Sequence, residues 1–293
     1  MILINLIGEQ PIPNLIPILY FKPQQVINLF SDTTEAVLKK LKHIYPESGE
    51  LKIDAYDFFN VREKVKNKIK NEPKSFLFNI TGGTKVMSLA LYEVAREFKS
   101  DFIYLKSEGN QSIIYKYSFK INDEITSEKI IVPECINVKL YLKVHLINYV
   151  VESSNKKGTA FENAIANSLI KNNFEVLQNI KPVGEGNQLE IDLVFRLIGT
   201  NNVAIAEIKT GDEREEGPKK GIDQLALASQ REYLGIYTKR FLITSRQLSK
   251  ALKELALAHK INIIDDIHLD RNMRHLTSDS ENRLINTLKE KLR

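Results

Sequence analysis

The chain has 293 residues, of which 43% are hydrophobic and 27% charged, and its formal net charge is +5. This composition excludes disordered and collagen-like chains, and the length allows two domains of about 100–150 residues each. The single cysteine, Cys135, excludes an intramolecular disulfide, and no apolar run approaches the roughly 18 residues of a membrane span. We therefore expect a cytoplasmic protein with no membrane partner, and we interpret the opening MILINLIG as a buried strand rather than a signal peptide.

Over residues 1–117, short apolar runs rich in Ile, Val, Phe and Tyr alternate with amphipathic stretches. This alternation is typical of βαβ units around a parallel sheet, so we expect a Rossmann-like domain at residues 1–118. Buried strands are predicted at Met1–Ile7, Gln25–Phe30, Leu51–Tyr56, Ser75–Ile80 and Phe102–Leu105, with an edge strand at Ser112–Ser118. Helices that cover the sheet are predicted at Thr34–Ile44, Asn60–Lys70 and Thr84–Phe98.

Residues 119–155 break the alternation, because a polar run is followed by Pro133, an apolar run and a second polar run. We interpret this stretch as a connector to a second domain at residues 156–293. That domain is predicted to begin with a helix whose apolar stripe is Phe161, Ile165 and Leu169. Its later strands are predicted at Glu175–Ile180, Leu189–Leu197, Val203–Thr210, Arg240–Thr244 and Ile261–Ile264, and its later helices at Ile222–Tyr233, Ser249–His259 and Ser280–Leu292.

Charged residues interrupt two strands of the second domain that are otherwise apolar. Strand alternation puts Glu207 and Lys209 on one face, while Ala206 and Ile208 point to the other. Asp192 lies within the neighbouring run LEIDLVF. Buried carboxylates need a cation, and one lysine cannot balance them all. Because carboxylate oxygens favour Mg²⁺ or Mn²⁺, the pattern indicates a metal site that hydrolyses phosphodiesters.

The same residues also have a simpler structural interpretation. An isolated Glu-x-Lys is most often an ion pair at a strand end, which here would join Glu207 and Lys209 and leave Asp192 at the surface near a turn. Glu190, two residues before Asp192, is either a substitute ligand or, as we prefer, a hydrated acid at the end of a strand.

The order of the chemical groups along the chain favours the catalytic interpretation. A helix acid, Glu162, precedes the strand residue Asp192, then a turn and the Glu207-x-Lys209 strand, then a helix that carries Gln224. This order resembles the PD-(D/E)XK nuclease superfamily, although the proline that precedes the family's Asp is absent. The resemblance implies that Glu162, Asp192 and Glu207 bind the metal. It makes Lys209 the catalytic lysine and Gln224 a positioning residue.

Three turns of the first domain carry residues suited to an anionic ligand. The strand Ser75–Ile80 runs into Thr81-Gly82-Gly83-Thr84-Lys85 and then a helix, whose N-terminal N–H groups favour phosphate. Taken alone, this segment is better explained as a tight strand-to-helix turn. The first strand ends in Gly8-Glu9-Gln10 and the second near Ser31-Asp32-Thr33. We expect the three turns to converge, because the carboxyl ends of parallel strands share one edge of the sheet.

The segments GEQPIPN, SDTT and NITGGTKVM together resemble the CRISPR-associated Rossmann-fold (CARF) domain. They are similar to the kind fused to a PD-(D/E)XK domain in ancillary nucleases of type III CRISPR systems, in the same domain order. The resemblance covers nearly the whole chain. It implies an α/β protein: a CARF domain with a mostly parallel sheet and helices on both faces, followed by a restriction-endonuclease-like α/β domain.

The resemblance also implies partners and a mode of control. It implies a homodimer whose paired CARF domains bind cyclic tetra-adenylate across the two-fold axis and thereby activate a nuclease that uses Mn²⁺ or Mg²⁺. The substrates of the family are single-stranded RNA and DNA, and in some members duplex DNA. By motif position, the residues expected to bind the cyclic oligoadenylate are Gly8, Glu9, Gln10, Ser31, Thr33, Thr81, Gly82, Gly83, Thr84 and Lys85.

Two other functions stay open from the sequence. The chain could be a nucleotide-responsive regulator whose second half binds nucleic acid without cutting it, although a pure binder has no need for three acids beside a lysine. Alternatively, the first domain could also be an enzyme that slowly degrades its own activator.

Overall fold

A computed structural model describes residues 1–72, 75–121, 124–152, 159–184, 189–210 and 216–292. The chain forms two compact units, Met1–Cys135 and Ile136–Arg293. The stretch predicted as a connector, residues 119–155, contributes to both units, and its residues 122–123 and 153–155 lie outside the described ranges. Within those ranges, no helix combines the length and the apolar character that crossing a membrane requires.

The first unit contains a seven-stranded sheet. Its strands are β1 (Ile2–Leu6), β2 (Gln25–Phe30), β3 (Gly49–Lys52), β4 (Phe76–Asn79), β5 (Asp101–Glu108), β6 (Gln111–Phe119) and β7 (Ile125–Val132). Their spatial order is β3-β2-β1-β4-β5-β6-β7. Strands β1 to β5 run parallel, whereas β6 and β7 are antiparallel to their neighbours. The prediction of a mostly parallel sheet is therefore confirmed.

Four helices cover this sheet: α1 (Ile12–Phe21), α2 (Glu35–Ile44), α3 (Phe58–Ile69) and α4 (Lys85–Glu97). Alternate residues of β1, such as Ile4 and Leu6, pack in one core with apolar side chains of α3 and α4. Asn5 lies between them in sequence, points to the opposite face and contacts Asn14 of α1. Successive side chains of a strand point to opposite faces of a sheet, and here both faces are covered by helices.

Two elements of the first unit differ from the prediction. Helix α1 was not predicted, because Pro11, Pro13 and Pro17 punctuate an almost wholly apolar run and hide its helical period. The prediction of Ser112–Ser118 as an edge strand is wrong, since β7 pairs with the outer side of β6. Strand β7 was missed because most of its side chains are exposed, and an outer strand with no apolar face looks like a connector.

The second unit contains a six-stranded sheet and five helices within the described ranges. Its elements are α5 (Val138–Leu146), β8 (Tyr149–Val151), α6 (Thr159–Lys171), β9 (Phe174–Pro182), β10 (Ile191–Leu197), β11 (Val203–Lys209), α7 (Glu216–Ala228), β12 (Lys239–Thr244), α8 (Lys250–Ala258), β13 (Asn262–Ile264) and α9 (Ser278–Leu292). The strand order is β13-β12-β11-β10-β9-β8. Strands β11, β12 and β13 run parallel, and the remaining pairs are antiparallel.

The two faces of this sheet have different roles. On one face, Ala206 and Ile208 of β11 join a core with side chains of α6 and α9, among them Phe161 and Leu284. Glu207 and Lys209 point to the other face, which α7 approaches. The strand alternation expected from the sequence therefore holds, and it leaves two charged side chains beneath a helix.

Candidate functional site

The acids of the second unit lie on neighbouring antiparallel strands. Leu193 of β10 pairs with Ala206 of β11, so the next position along each strand brings Asp192 opposite Glu207. The Oδ2 atom of Asp192 accepts a hydrogen bond from the backbone N–H of Ile208 at 2.7 Å. This bond fixes the Asp192 carboxylate against β11.

Lys209 links both carboxylates. Its Nζ atom lies 3.0 Å from Oε2 of Glu207 and 3.8 Å from Oδ2 of Asp192. Glu207 is 1% exposed, whereas the side chains of Asp192 and Lys209 are 14% and 16% exposed. The three groups therefore interact at low solvent exposure, where electrostatic energies exceed those of surface ion pairs.

The electrostatic balance of this cluster is uneven. Burial raises the pKa of Glu207 well above its ordinary value, and the nearby Asp192 raises it further, while Lys209 opposes both effects. Burial also raises the pKa of Asp192, against the opposing effects of Lys209 and the Ile208 N–H. One lysine thus fails to compensate two buried carboxylates.

Glu162, in the first turn of α6, belongs to the same electrostatic group. Burial raises the pKa of its carboxyl to about 7, and the charges of Asp192 and Glu190 raise it while Lys209 lowers it. The structure therefore brings Glu162 within electrostatic reach of the strand acids, as expected. Glu190 is more exposed, at 42%, and lies 3.4 Å from Nζ of Lys181.

The suitability of these residues for a metal ion follows from donor chemistry. In the described part of the chain, no group of three or more Asp, Glu, His or Cys side chains is already arranged to hold a metal ion. The predicted set Glu162, Asp192 and Glu207 nevertheless supplies hard oxygen donors, and the pKa of each is raised. An added divalent cation would relieve this surplus of buried negative charge, so the donor set fits Mg²⁺ or Mn²⁺.

Helix α7 packs directly on the charged strand residues. A Cβ atom added at Gly221 would lie 3.3 Å from Cε of Lys209 and 3.6 Å from Cβ of Glu207. Gln224 is one turn further along the helix, and its Oε1 atom is buried without a hydrogen-bond partner among the described residues. Gly221 was not predicted to be important. Its signal in the sequence is that a glycine among helix-forming residues often marks close packing of the helix.

In the first unit, the turns after β1 and β4 make backbone contact. A Cβ atom added at Gly82 would lie 2.3 Å from the carbonyl oxygen of Leu6 and 2.5 Å from the amide nitrogen of Gly8. Gly83 has φ +73°, a conformation that favours glycine. The expected convergence of these two turns is therefore present, and it requires a residue without a side chain at position 82.

The residues predicted to bind the cyclic oligoadenylate differ in accessibility. Hydroxyl groups of Thr81 and Thr84 already have partners: Oγ1 of Thr81 donates to Asn79 at 2.6 Å, and Oγ1 of Thr84 donates to the Ala55 carbonyl oxygen. The buried Gln10 has an Nε2 atom without a partner in the described residues. The exposed members of the predicted set are Glu9, Thr33, Gly83 and Lys85, the half-buried ones are Gly8, Thr81, Gly82 and Thr84, and the buried ones are Gln10 and Ser31.

The sequence analysis missed four buried asparagines beside these turns. They are Asn5, Asn14, Asn28 and Asn79, and none is more than 1% exposed. A signal was available, since the apolar strands ILINL, QVINLF and FLFN each carry an asparagine near the carboxyl end. We interpreted Asn5, Asn28 and Asn79 as parts of buried strands and Asn14 as the end of the turn after the first strand, and we assigned no role to their side chains.

Comparison with known proteins finds a family model that matches the first part of the chain. The family model of the Card1 CARF domain matches residues 2–141. A search of curated proteins finds no match.

Solved structures resemble the whole chain. Can2 from Sulfobacillus thermosulfidooxidans, in complex with cyclic tetra-adenylate (cA4), has a TM-score of 0.75 at 17% identity, with 100% of this chain and 99% of Can2 covered. Protein VC1899 from Vibrio cholerae has a TM-score of 0.73 at 13% identity, with 99% and 97% covered. A type III CRISPR defence DNA nuclease activated by cyclic oligoadenylate has a TM-score of 0.60 at 13% identity, and the match covers 98% of this chain but 51% of that nuclease. At these identities the likeness shows the fold alone, so residues 2–141 match the Card1 CARF domain family and the chain as a whole shares the α/β fold of Can2.

Proposed function

We propose that the chain is a metal-dependent endonuclease of type III CRISPR defence, acting in the cytoplasm and activated by cyclic tetra-adenylate. The observation that carries the nuclease assignment is the buried cluster of Asp192, Glu207 and Lys209, with Glu162 in electrostatic reach. On this proposal the second unit is a PD-(D/E)XK domain. The CARF match of residues 2–141 and the likeness to cA4-bound Can2 support the sensing role.

Each residue of the cluster has a role in this proposal. Glu162, Asp192 and Glu207 would hold a divalent cation, which when bound would polarise the phosphodiester and make a water molecule more acidic. Lys209 has its ammonium group at the same carboxylates, so it is placed to stabilise negative charge that develops on the phosphate. The buried Oε1 of Gln224 suits a hydrogen bond from a water molecule, which would orient that water.

The sensing site in this proposal is formed by two copies of the first unit. Cyclic tetra-adenylate would lie across the two-fold axis of a homodimer, against the turns that contain Gly8–Gln10, Ser31–Thr33 and Thr81–Lys85. The first turn of α4 suits phosphate through its backbone N–H groups, of which that of Met87 donates to Oγ1 of Thr84, and Lys85 is exposed there. Glu9 and Thr33 are also exposed.

A cleavage panel tests both halves of the proposal. Purified protein is incubated with RNA, single-stranded DNA or plasmid in Mn²⁺ or Mg²⁺, with and without cyclic tetra-adenylate. We expect cleavage only when metal and activator are both present, and none with Glu207→Ala. If no substrate is cut with any cyclic oligoadenylate, the nuclease assignment is wrong. Retained binding of nucleic acid by Glu207→Ala would then favour the non-cleaving regulator. Recovery of shortened adenylate after hours would reveal degradation of the activator.

A further inference from the structure

Three of the buried asparagines form a row across the central parallel strands. Asn5 of β1 pairs in register with Asn28 of β2 and with Asn79 of β4. Each amide is 0–1% exposed. A buried amide costs free energy unless it is hydrogen-bonded, so a row of three in an apolar sheet requires a specific network.

The network converges on one side chain, that of Asn5. Its Nδ2 atom donates to Oδ1 of Asn28 at 3.0 Å. Its Oδ1 atom accepts two hydrogen bonds, from Nδ2 of Asn14 at 2.9 Å and from Nδ2 of Asn79 at 2.8 Å. Asn5 therefore joins a residue of α1 to residues of two neighbouring strands.

One branch of the network leads to the turn after β1. Nδ2 of Asn14 donates to the carbonyl oxygen of Leu6 at 2.7 Å, and Oδ1 of Asn14 accepts from the Gly8 N–H at 3.4 Å. Asn14 thus holds the backbone on either side of Ile7. This turn carries Gly8, Glu9 and Gln10 of the proposed ligand site.

A second branch leads to the turn after β4. Oδ1 of Asn79 accepts from the backbone N–H of Thr81 at 3.1 Å and from its Oγ1 at 2.6 Å. Nδ2 of Asn79 also donates to the carbonyl oxygen of Pro13 at 3.2 Å. That carbonyl lacks its usual helical donor because Pro17, four residues later in α1, has no N–H.

We propose that Asn5 is a positioning residue that couples the turns at residues 8–10 and 81–84, although its own side chain is buried away from any ligand. The two turns contact each other through Gly8 and Gly82. The side chains that hydrogen-bond to the turns, Asn14 and Asn79, both donate to Oδ1 of Asn5. Loss of that oxygen would release both turns together. The identity of the ligand, cyclic tetra-adenylate, rests on the proposed function, whereas the coupling of the turns does not.

The test compares Asn5→Ala with Asn28→Ala in the full-length protein. Asn28 is equally buried, but its Nδ2 atom donates to Ser48, and its Oδ1 atom accepts from Nδ2 of Asn5 and not from a donor that holds either turn. Amide hydrogen exchange without ligand is expected to rise at residues 8–10 and 81–84 in Asn5→Ala, and to stay at the wild-type level there in Asn28→Ala. Calorimetry should give an affinity for cyclic tetra-adenylate at least about 10-fold weaker in Asn5→Ala, with a change below about 3-fold in Asn28→Ala.

Unchanged exchange in the two turns of Asn5→Ala would overturn the inference, as would equal losses of affinity in the two alanine variants. If the wild-type protein fails to bind cyclic tetra-adenylate, the proposed function fails, while the exchange measurement still decides the coupling. Should Asn5→Ala not fold, Asn14→Ala and Asn79→Ala replace it, since each removes one donor to the Asn5 oxygen. Each is expected to raise exchange in both turns, and a rise confined to the turn beside the substituted residue contradicts the coupling.

Discussion

At the residue scale, the candidate nuclease centre depends on one lysine ammonium group that interacts with two buried carboxylates. Lys209 donates to Glu207 and lies 3.8 Å from Asp192. Burial raises the pKa of both acids even with that lysine present. The lysine is therefore required for the charge balance of the folded protein as well as for the proposed chemistry.

Replacing Lys209 with methionine should impair both stability and activity. We expect cleavage to fall by about 10²–10³-fold, because the group that stabilises developing charge is lost. In EDTA, the free energy of unfolding should fall by about 1–3 kcal/mol at pH 8, since two buried carboxylates lose their partner. Their folded pKa values rise further above the unfolded ones, so the loss should be smaller at pH 5, where the folded protein can retain protons.

Urea unfolding at both pH values checks this expectation. Lys250→Met is a suitable control, because Lys250 forms a solvent-exposed pair with Glu254 in α8, and its removal should leave the free energy of unfolding nearly unchanged. A Lys209→Met protein that unfolds at the same urea concentration as the wild type at pH 8 contradicts the argument.

The contribution of Asp265 to stability should depend on pH in the opposite direction, because its pKa is lowered whereas those of Asp192 and Glu207 are raised. Burial acts to raise its pKa, but the Lys253 ammonium at 2.7 Å and the Leu248 N–H at 3.1 Å outweigh burial and hold the pKa below its ordinary value. A lowered folded pKa stabilises the protein above the unfolded pKa, and this stabilisation is lost as the pH falls through the folded pKa. Asp265→Asn should therefore be less stable than the wild type at pH 7, and the difference should shrink at pH 3. Equal differences in urea midpoint at the two pH values would refute this.

At the scale of elements, helix α7 is positioned by the absence of a side chain. Gly221 lies where a Cβ atom would be 2.9 Å from Cδ1 of Leu242 and 3.3 Å from Cε of Lys209. The helix can therefore approach β11 closely. A methyl group at position 221 must displace the side chains of Leu242 and Lys209, or the helix itself.

Gly221→Ala is expected to slow cleavage by about 10-fold or more, because small displacements of a catalytic group are costly. Alanine is the better helix former by about 1 kcal/mol, which offsets the cost of the contact, so the protein should stay folded. The affinity for cyclic tetra-adenylate should not change. Turnover at the wild-type rate, measured with saturating activator, would show that the close approach has no catalytic role.

How much of this fold was predictable depends on where the chemical signal lies. The acids on β10 and β11 were found because charge in an apolar strand is unusual, and the alternation of Glu207 and Lys209 is confirmed. Helix α7 was predicted at Ile222–Tyr233 but forms at Glu216–Ala228, since Pro218 and two glycines obscure its first turns. The buried asparagines escaped notice, because their partners are up to 74 residues away in sequence.

At the scale of the whole molecule, the first unit has an exposed apolar surface beside the turns of the proposed ligand site. A groove of about 430 Å³ is lined by Phe58, Phe59, Arg62, Leu89, Tyr92 and Glu93. Phe59 and Leu89 are 72% and 60% exposed. The hydrogen bond from Thr84 to the Ala55 carbonyl oxygen connects this surface to the turn after β4. If the two copies of the proposed homodimer meet here, Phe59 and Leu89 would be buried between them.

Charged substitutions on that surface should separate the proposed homodimer. Phe59→Asp and Leu89→Asp are expected to shift the molar mass measured by light scattering from dimer to monomer, and to weaken binding of cyclic tetra-adenylate. Leu257→Asp is a matched control, because Leu257 is equally exposed, at 75%, on α8 in the other unit. If all three variants remain dimeric and bind the ligand normally, the dimer uses another surface.

The network of Asn5, Asn14, Asn28 and Asn79 has a consequence for how the first unit folds. Its members come from β1, α1, β2 and β4, so no short segment of the chain contains the whole network. Until those four elements are in register, the asparagine side chains are hydrogen-bonded to water and do not bind the backbone of the two turns. Partial assembly therefore yields no partly competent site, and the capacity to recognise a ligand should appear in the same cooperative step that completes the sheet.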